Sequence, residues 1–463
     1  MSATASSVGA MTDTTSFVAE LSSRVRGRVL TADADGYDVE RTGFQRWEAH
    51  RPAVVVAATS TDDVREAVGF AVARRMPWTV QATGHGHTTP IEGMLITTRR
   101  MNGVRVDPVR RVAWVEAGAT WREVIDAAAP HGLAPLSGSF PDLGAVAYTV
   151  TGGVGLLARR HGFTSDHVHR FDVVTPDGRL RHVSEHSEPE LFWALRGGGG
   201  RVGVVTGMEI ELVCVTRLFG GSLLFDVAQV SDVLEVWGSW TGEVDDDLTS
   251  AATVLTYPDV AGVPEPLRGR SVAHLRVAYC GSADEGRAVT RPLREIGPVL
   301  ADTLGELPYP ESGSIFDEPE EPHPYRGDNL VVRELPPEAL PGLTAAAGPD
   351  APVFTVVGVR HLGGALARSP RVPSAVGHRS GSYLVSVLSP VSETDERVAR
   401  RHHDATLAPF IEVALGRRLG FAFRPLSDEE LAGAFDPGDD ARLRRIAREL
   451  DPHGLLRIGH GSR

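Results

Sequence analysis

Between Val80 and His87 the chain reads V-Q-A-T-G-H-G-H, directly after an apolar, β-leaning run, Met76-Pro77-Trp78-Thr79-Val80. A strand that stops at Gly84 and Gly86 ends in a tight loop with bare backbone N–H groups. Nothing larger than hydrogen blocks the approach of phosphate oxygens there, so such a loop can wrap a pyrophosphate. His85, at its tip, can touch whatever that pyrophosphate carries. The same residues also suit an ordinary strand–loop junction with a turn histidine. The remainder of the chain decides between these readings.

With 463 residues, 42% of them hydrophobic, the chain can bury a large core and more than one domain. Its net charge of −13 is spread without long runs of one sign, which argues against nucleic acid or an anionic membrane as partner. The nearest thing to a charge run is Asp317-Glu318-Pro319-Glu320-Glu321-Pro322, read as a short solvated loop. The two cysteines, Cys214 and Cys280, offer neither a disulfide framework nor a zinc cluster, and both are expected to be buried free thiols. No apolar stretch approaches the roughly 20 residues of a membrane span. The first residues, Met1 to Phe17, are rich in Ser, Thr and Ala and lack a basic n-region, an h-region and a twin arginine. They are expected to be disordered, with Met11 an alternative start, and the protein to be cytoplasmic.

Strand and helix signals interleave along the first half. Ala53–Ala57 reads as a buried strand, and Thr61-Asp62-Asp63 as the cap of a helix through Val64, Val68 and Val72. Strands are expected at Trp78–Val80, Met94–Thr98, Val104–Asp107 and Ala113–Ala117, with a helix from Thr120 to about His131 that Gly132 ends. Strands dominate from Phe171 to Thr206, so the half reads as α+β, not as evenly alternating α/β. From Leu218 to about Ser389 longer strands, separated by helices and a Pro-rich stretch near Leu307–Tyr325, indicate a second domain: a sheet backed by helices. A last helix, Asp439 to Leu450, stops at Asp451-Pro452-His453-Gly454.

Four further segments carry glycines or small residues where a ligand or another backbone must come close. They are Ser137 to Gly144, Thr151-Gly152-Gly153-Val154-Gly155, Arg160 to Asp166, and Leu191 to Gly200 leading into Gly203-Val204-Val205-Thr206. None is G-x-x-x-x-G-K-[ST], and none opens a helix after a strand as G-x-G-x-x-G with an acidic residue about twenty positions on. Phosphate-transfer P-loops and Rossmann dinucleotide sites are therefore poor readings.

In this order the segments resemble the flavin-linked oxidases of the vanillyl-alcohol oxidase/p-cresol methylhydroxylase superfamily, and most nearly its bacterial berberine-bridge-enzyme-like branch. Gln81-Ala82-Thr83-Gly84-His85-Gly86 stands where that branch has R-G-G-G-H-S. Gly132-Leu133 to Gly138, Gly152–Gly155, Arg159/Arg160 to Gly162 and Asp177-Gly178-Arg179 match further glycine motifs of the branch. Pro189 through Thr206, with Leu191-Phe192-Trp193-Ala194-Leu195-Arg196 at its head, matches P-D-L-F-W-A-L-R-G-G-G-G-N-F-G-V-V-T, and Leu450 to Arg457 matches Y-D-P-x-N-L-F-R. The resemblance covers about Arg46 to the C-terminus.

It implies an α+β molecule with a PCMH-type FAD-binding domain of two α/β subdomains, and a substrate domain whose mainly antiparallel sheet is backed by helices. The boundaries expected are an N-terminal segment 1–45, an FAD-binding domain 46–217, a substrate domain 218–427, and a segment 428–463 returning to the FAD-binding domain. His85 matches the histidine that bonds covalently to the 8α-methyl of FAD. Phe140 replaces the cysteine that makes a second link in many relatives, so one histidyl bond is expected. Flavin contacts are implied for Ala82, Thr83, Gly84, Gly86 and His87, for Gly138, Ser139, Asp142, Leu143 and Gly144, and for Thr149. They are also implied for Gly152, Gly153 and Gly155, for Asp166, and for Gly203, Val204 and Val205. No metal is expected.

The chemistry implied is loss of hydride from a substrate C–H to flavin N5 while a base takes a hydroxyl or amine proton. The substrate would be a small molecule oxidised at C–OH or C–N, a sugar or a secondary metabolite among the possibilities. Arg418-Leu419-Gly420 stands where the family has Y-x-N, so the base is sought in Arg360-His361-Leu362-Gly363-Gly364 and His378-Arg379-x-x-x-Tyr383. Tyr383, a phenol flanked by apolar strand residues, is the first choice, followed by His361 and His378; Arg360 and Arg379 are substrate candidates. On a strand Arg360 and Gly364 share one face and His361 takes the other. The bland alternative is that all are satisfied polar residues at a domain junction. Leu143 stands where a small valine accompanies oxidases and a bulkier leucine hinders oxygen. Dioxygen is nevertheless the acceptor expected, with a dehydrogenase using another acceptor as the alternative. A flavin-binding protein without turnover is a third reading. A remote one is a metal-dependent hydrolase built on His85-x-His87 and His167-x-His169, with Asp166 and Asp172 as the near carboxylates.

Overall fold

A computed structural model describes residues 17–86, 89–392 and 395–457. His87 and the N-terminal residues expected to be disordered, all but Phe17, lie outside the described residues.

The first sheet is built from β1 (Arg28–Leu30), β2 (Val54–Ala57), β3 (Trp78–Gln81) and β4 (Met94–Thr97), in the order β1-β2-β4-β3. β4 runs parallel to both of its neighbours. Val54, Val55, Val56 and Ala57 are wholly buried, as a β-branched run between two covered faces requires. The helix Thr61–Ala73 that follows β2 is capped by Ser60, whose side chain accepts from the Asp63 amide. This corrects the expectation that Thr61-Asp62-Asp63 forms the cap. The Asp63 carboxylate instead accepts from the amides of Arg26, Gly27 and Thr59, tying the chain before β1 to the helix.

The second sheet contains β5 (Val104–Asp107), β6 (Val112–Glu116), β7 (Val168–Val174), β8 (Leu180–Ser184) and β9 (Val204–Glu211), all antiparallel, in the order β5-β6-β9-β7-β8. The helix Trp121–Ala128 opens with a capping box between Thr120 and Glu123 and runs through a short 3₁₀ turn to Gly132, at φ 70°.

The third sheet is nine-stranded: β10 (Arg217–Asp226), β11 (Leu248–Thr256), β12 (Ser271–Tyr279), β13 (Val299–Asp302), β14 (Gly305–Pro308), β15 (Tyr325–Val332), β16 (Val356–His361), β17 (Tyr383–Pro390) and β18 (Ala414–Gly416). Its order is β13-β10-β12-β11-β16-β17-β15-β18, with β14 beside β10, and every pairing is antiparallel. The molecule is thus α+β.

Strand parity divides the third sheet into two faces. Ala273, Leu275, Val277, Val357, Val359, Val385 and Val387 pack with Trp237, Leu343 and Phe410 of the flanking helical segments. The opposite face carries Leu384 and Val331 against Val154 and Phe163 of the first half. That second face looks toward the glycine-rich loops.

Beyond the last helix, Asp439–Leu450, the chain returns to the first sheet: Trp78 donates its amide to Leu455 and accepts from Arg457. The cysteines differ from expectation. Cys214 lies exposed in the connector after β9, and Cys280, just past β12, is partly buried; both are free. No helix among the described residues is long and apolar enough to cross a membrane.

Candidate active site

The loop after β3 is shaped by its carbonyls. Those of Thr83 and Gly84 accept from the amides of Phe44 and Gln45, and that of Ala82 from Arg99 Nε at 3.0 Å. With the carbonyls turned this way, the amides of Thr83, Gly84, His85 and Gly86 donate no hydrogen bond among the described residues. Gly84, at φ 77°, packs so closely that a Cβ there would stand 2.5 Å from Gly43 Cα. Only glycine suits both the conformation and the space.

His85 is held on three sides. Its ring stacks on Phe44 at 3.9 Å and meets Phe140 at 5.3 Å. Its Nδ1 shares a hydrogen bond of 2.9 Å with Thr83 Oγ1, and its carbonyl accepts from Tyr325 Oη at 2.8 Å. Nε2 is buried with no partner. Burial pushes the pKa down to about 3 against a smaller opposing pull from Asp142, so the imidazole is neutral at physiological pH. Beside it opens a cleft of about 220 Å³, bordered by Thr42, Arg46, Arg99, Phe140 and Asp142.

The other predicted loops converge on this one. A Cβ on Gly144 would touch Thr83 Oγ1 at 3.5 Å and Ala82 Cβ at 3.7 Å, so the segment around Gly138, Ser139, Leu143 and Gly144 abuts the His85 loop. A Cβ on Gly155 would come within 1.9 Å of the Ser137 carbonyl, and one on Gly153 within 2.5 Å of the Tyr148 ring. Leu143 is partly buried against the core, and its carbonyl accepts from Trp121.

Other predicted contacts are occupied within the protein. Both oxygens of Asp142 pair with Arg122 at 2.7 Å. Asp166 and Arg379, read as cofactor and substrate residues, pair with each other at 2.8 and 2.9 Å. Thr149 bonds its own helix at Ala145 O. Gly152 lies against Val376, and Gly203, Val204 and Val205 belong to the junction of β9 with β7.

Of the three candidate bases, Tyr383 and His378 bond away from the loop cluster, whereas His361 borders a small void together with Gly155 and Arg360. Tyr383 Oη bonds Thr241 Oγ1 at 2.6 Å, and its ring packs on Trp237, on the helix-backed face. His361, its cross-strand partner, stacks on Tyr383 and shares a 2.9 Å bond with Arg159. His378 bonds Asp436 and the Gly433 carbonyl, fastening the C-terminal segment. Arg360 lines a small void with Gly155, Ala251 and Arg276, but Gly364 does not share its strand: β16 ends at His361, and Gly363 and Gly364 turn away at φ 78° and 55°. His167 pairs with Glu211 and the His161 carbonyl, and no group of three or more metal-ligating side chains occurs among the described residues.

The loop-facing, or cleft, face of the third sheet carries, besides the expected Arg360, residues that sequence reading missed. Arg276 of β12 and Arg360 of β16 flank Ala251 of β11 on one rung. Both guanidiniums pack on the Phe316 ring, at 5.1 and 4.5 Å, and that of Arg360 also on Phe421. One rung pair along, His274 Nε2 lies 3.2 Å from Tyr257 Oη. Burial, reinforced by Arg276, pushes the His274 pKa down to about 3. The sequence did hold a signal: in S-V-A-H-L-R-V-A-Y the polar residues His274 and Arg276 are two apart in an otherwise apolar strand, which puts both on one face.

Residues 52–184 match the FAD binding domain family. The chain is 26% identical over 455 residues to (R)-6-hydroxynicotine oxidase of Paenarthrobacter nicotinovorans, covering 94% of this chain and 96% of that one. It is 34% identical over 304 residues to the FAD-linked oxidoreductase hasG of Aspergillus fumigatus, covering 61% of each. Among solved structures, 6-hydroxy-D-nicotine oxidase from Arthrobacter nicotinovorans superposes with a TM-score of 0.81 at 24% identity over 94% of this chain and 97% of that one. The xylooligosaccharide oxidase of Myceliophthora thermophila does so at 0.83 with 18% identity, over 96% and 99%. These two share the fold. The chain thus carries an FAD binding domain and, over nearly its whole length, resembles FAD-linked oxidoreductases. It is an FAD-dependent oxidoreductase.

The residues present fit that cofactor. Amides of the His85 loop, without partners among the described residues, suit phosphate oxygens, His85 itself lines the cleft, and glycines 144, 153 and 155 let the neighbouring loops pack closely where a Cβ would crowd them.

Proposed function

We propose that this enzyme carries FAD through one covalent bond from His85 and oxidises a small organic molecule at a C–OH or C–N centre, passing the electrons to dioxygen. The observation that carries the reading is His85 itself: neutral, clamped by Phe44, Thr83 and Tyr325, with Nε2 the ring nitrogen left free. Phe140 beside it offers no sulfur for a second link. The bound flavin supplies the hydride acceptor. Everything else falls to the chain: holding the phosphates on the amides of Thr83 to Gly86, excluding water with Phe44 and Phe140, and presenting the substrate from the third sheet.

In this reading residues 46–217 and 428–463 make the cofactor-binding part, and 218–427 the substrate part. The return of Leu455–Arg457 to β3, and of Arg442 and Arg445 to Glu190, supports that division. The proton released from a hydroxyl or amine goes to the cleft face, where His274 and Tyr257 stand within hydrogen-bond reach of each other. Tyr383, His361 and His378 then hold the sheet and the C-terminal segment in place. The names of the relatives, a hydroxynicotine oxidase and an oligosaccharide oxidase, fit C–N and C–OH oxidation.

Acid precipitation tests the covalent link. Yellow colour should stay with the wild-type pellet, and His85→Ala should release it to the supernatant or yield colourless protein. Colour lost from the wild-type pellet refutes the bond while leaving the family assignment standing.

A further inference from the structure

We propose that the substrate carries a carboxylate, and that Arg276 and Arg360 bind it on the cleft face of the third sheet. This deepens the reading above and rests on it for the position of the cleft.

The register fixes the pair. Arg276 opposes Ala251, which opposes Arg360, so the two Cα atoms lie two strand spacings apart, roughly 10 Å, with side chains on one face. Ala251 between them is too small to separate the guanidiniums, and the Phe316 ring lies under both. A void of about 10 Å³ bounded by Gly155, Ala251 and the two arginines has room for one water or one carboxylate oxygen.

Neither cation forms a direct ion pair among the described residues; Glu318 acts on both only from a distance. Arg276 is only 9% exposed and forms no ion pair among the described residues. Its Nη2 reaches the Phe316 carbonyl at 3.2 Å and His274 Nδ1 at 3.4 Å, while Nη1 has no partner. Arg360 donates to Ser139 Oγ at 3.3 Å and likewise pairs with no carboxylate among the described residues. Buried arginines elsewhere are matched: Arg201 by Asp440, Arg326 by Glu396, Arg424 by Asp328 and Glu430. Arg196 and Arg418, which have no such partner, direct their N–H groups at carbonyl oxygens. Like charges on a buried and a half-buried arginine are held side by side only at a cost, and an incoming anion relieves it. Burial lowers the pKa of Arg276 to about 10 against an opposing pull from Glu318, with a smaller downward push from Arg360, and this still leaves it charged at neutral pH.

The groups facing the pair are His274, neutral, and Glu318, the nearest carboxylate. Glu318 hangs on Ser139 Oγ at 2.5 Å at the mouth and reaches neither guanidinium within ion-pair distance. Asp317, Glu320 and Glu321 beside it are exposed, where salt screens them. The interior, not this rim, sets the sign of the ligand. A substrate with a planar carboxylate matches the fork of a guanidinium, and Phe316 and Phe421 supply flat apolar walls beside it.

Calorimetry on the flavin-loaded protein with benzoate and benzamide tests the proposal, since the two probes share a shape and differ in charge. Benzoate should bind roughly 10- to 100-fold more tightly than benzamide, the usual worth of a charge-assisted hydrogen bond. Arg360→Met should erase that preference and leave benzamide affinity unchanged; Arg360→Lys should keep part of it. Equal binding of the two probes to wild type overturns the proposal, as does an equal loss of both in Arg360→Met. Displacement of benzoate by sulfate at equal affinity also overturns it, because the site would then read charge and not a carboxylate. Flavin content measured on the same samples separates the two levels: protein that takes up no FAD defeats the reading of the site, whatever benzoate does.

Discussion

The two regions proposed to form the site, the cleft beside His85 and the void on the third sheet, are made of different material. On the cofactor side, the His85 loop and the segments around Gly144 and Gly155 present backbone: amides without partners among the described residues, and glycines whose missing Cβ atoms let one loop pack on the next. On the opposite wall, β11, β12 and β16 present side chains, and a strand's parity alone decides whether Arg276 or Val277 meets the ligand. A backbone wall tolerates almost no substitution and serves one ligand. A side-chain wall can be rewritten residue by residue without disturbing the ladder behind it. That difference explains how one fold keeps its cofactor while its substrates diverge.

The comparison breaks most readily at Gly155. A Cβ there meets the Ser137 carbonyl at 1.9 Å, so Gly155→Val should cost more than about 4 kcal/mol and yield colourless or insoluble protein. Soluble, fully flavinylated Gly155→Val, judged by the ratio of flavin to protein absorbance, would show that the backbone wall is not rigid.

The joint between the side-chain wall and the C-terminal segment should give a smaller, pH-dependent effect. Arg424 hydrogen-bonds Glu430 and Asp328 of β15, and that bond, with Arg417 nearby, pushes the Glu430 pKa down to about 2 from an ordinary 4.5. A carboxylate with a lowered folded pKa stabilises the fold fully above its unfolded value, and that contribution fades as pH falls from 4.5 towards 2. Glu430→Gln should therefore lose roughly 1.5–3 kcal/mol at pH 7 and almost nothing near pH 2. Thermal unfolding across that range checks it; a deficit independent of pH would mean the ion pair is not its source.

Leu143 sharpens the comparison from the cofactor side, as one of that wall's few side chains. Trimming it by one methylene in Leu143→Val should speed reoxidation of the reduced flavin by air-saturated buffer roughly tenfold, equivalent to about 1.4 kcal/mol of barrier. Unchanged stopped-flow rates would show that Leu143 only fills space. Reoxidation that takes minutes in the native protein would make the enzyme a dehydrogenase with another acceptor.

The smallest effect belongs to Tyr383→Phe. It removes the 2.6 Å bond to Thr241 on the helix-backed face, worth about 1 kcal/mol of stability. Turnover should stay within about twofold, since the phenol is remote from the cleft face; a large fall in kcat without loss of stability would return Tyr383 to the catalytic group.

How much of this was legible in the sequence follows from the same contrast. Glycines announce a backbone wall, because few other reasons make a chain write G-H-G or T-G-G-V-G after a strand, and the family motifs ride on those positions. Side-chain walls depend on parity and on where a strand ends. Tyr383 drew notice for its apolar neighbours, yet alternation sends it with Val385 and Val387 into the helix-backed core. Arg360 and Gly364 seemed to share a face only because the turn at Gly363 was read as strand. Arg276 and His274 went unnoticed although their spacing of two within an apolar strand marked a polar face. Asp142, Asp166 and Arg379 illustrate a further limit: sequence places charged residues near a site without saying that Arg122 pairs with the first and that the other two pair with each other.

The most direct test of the central claim is mass spectrometry of peptides from denatured, protease-digested wild-type protein. The account predicts that the peptide containing His85 carries the flavin, with fragmentation placing the added mass on the imidazole, and that no other peptide does. A flavin-loaded protein whose His85 peptide is unmodified, or whose flavin sits on a different residue, would contradict it.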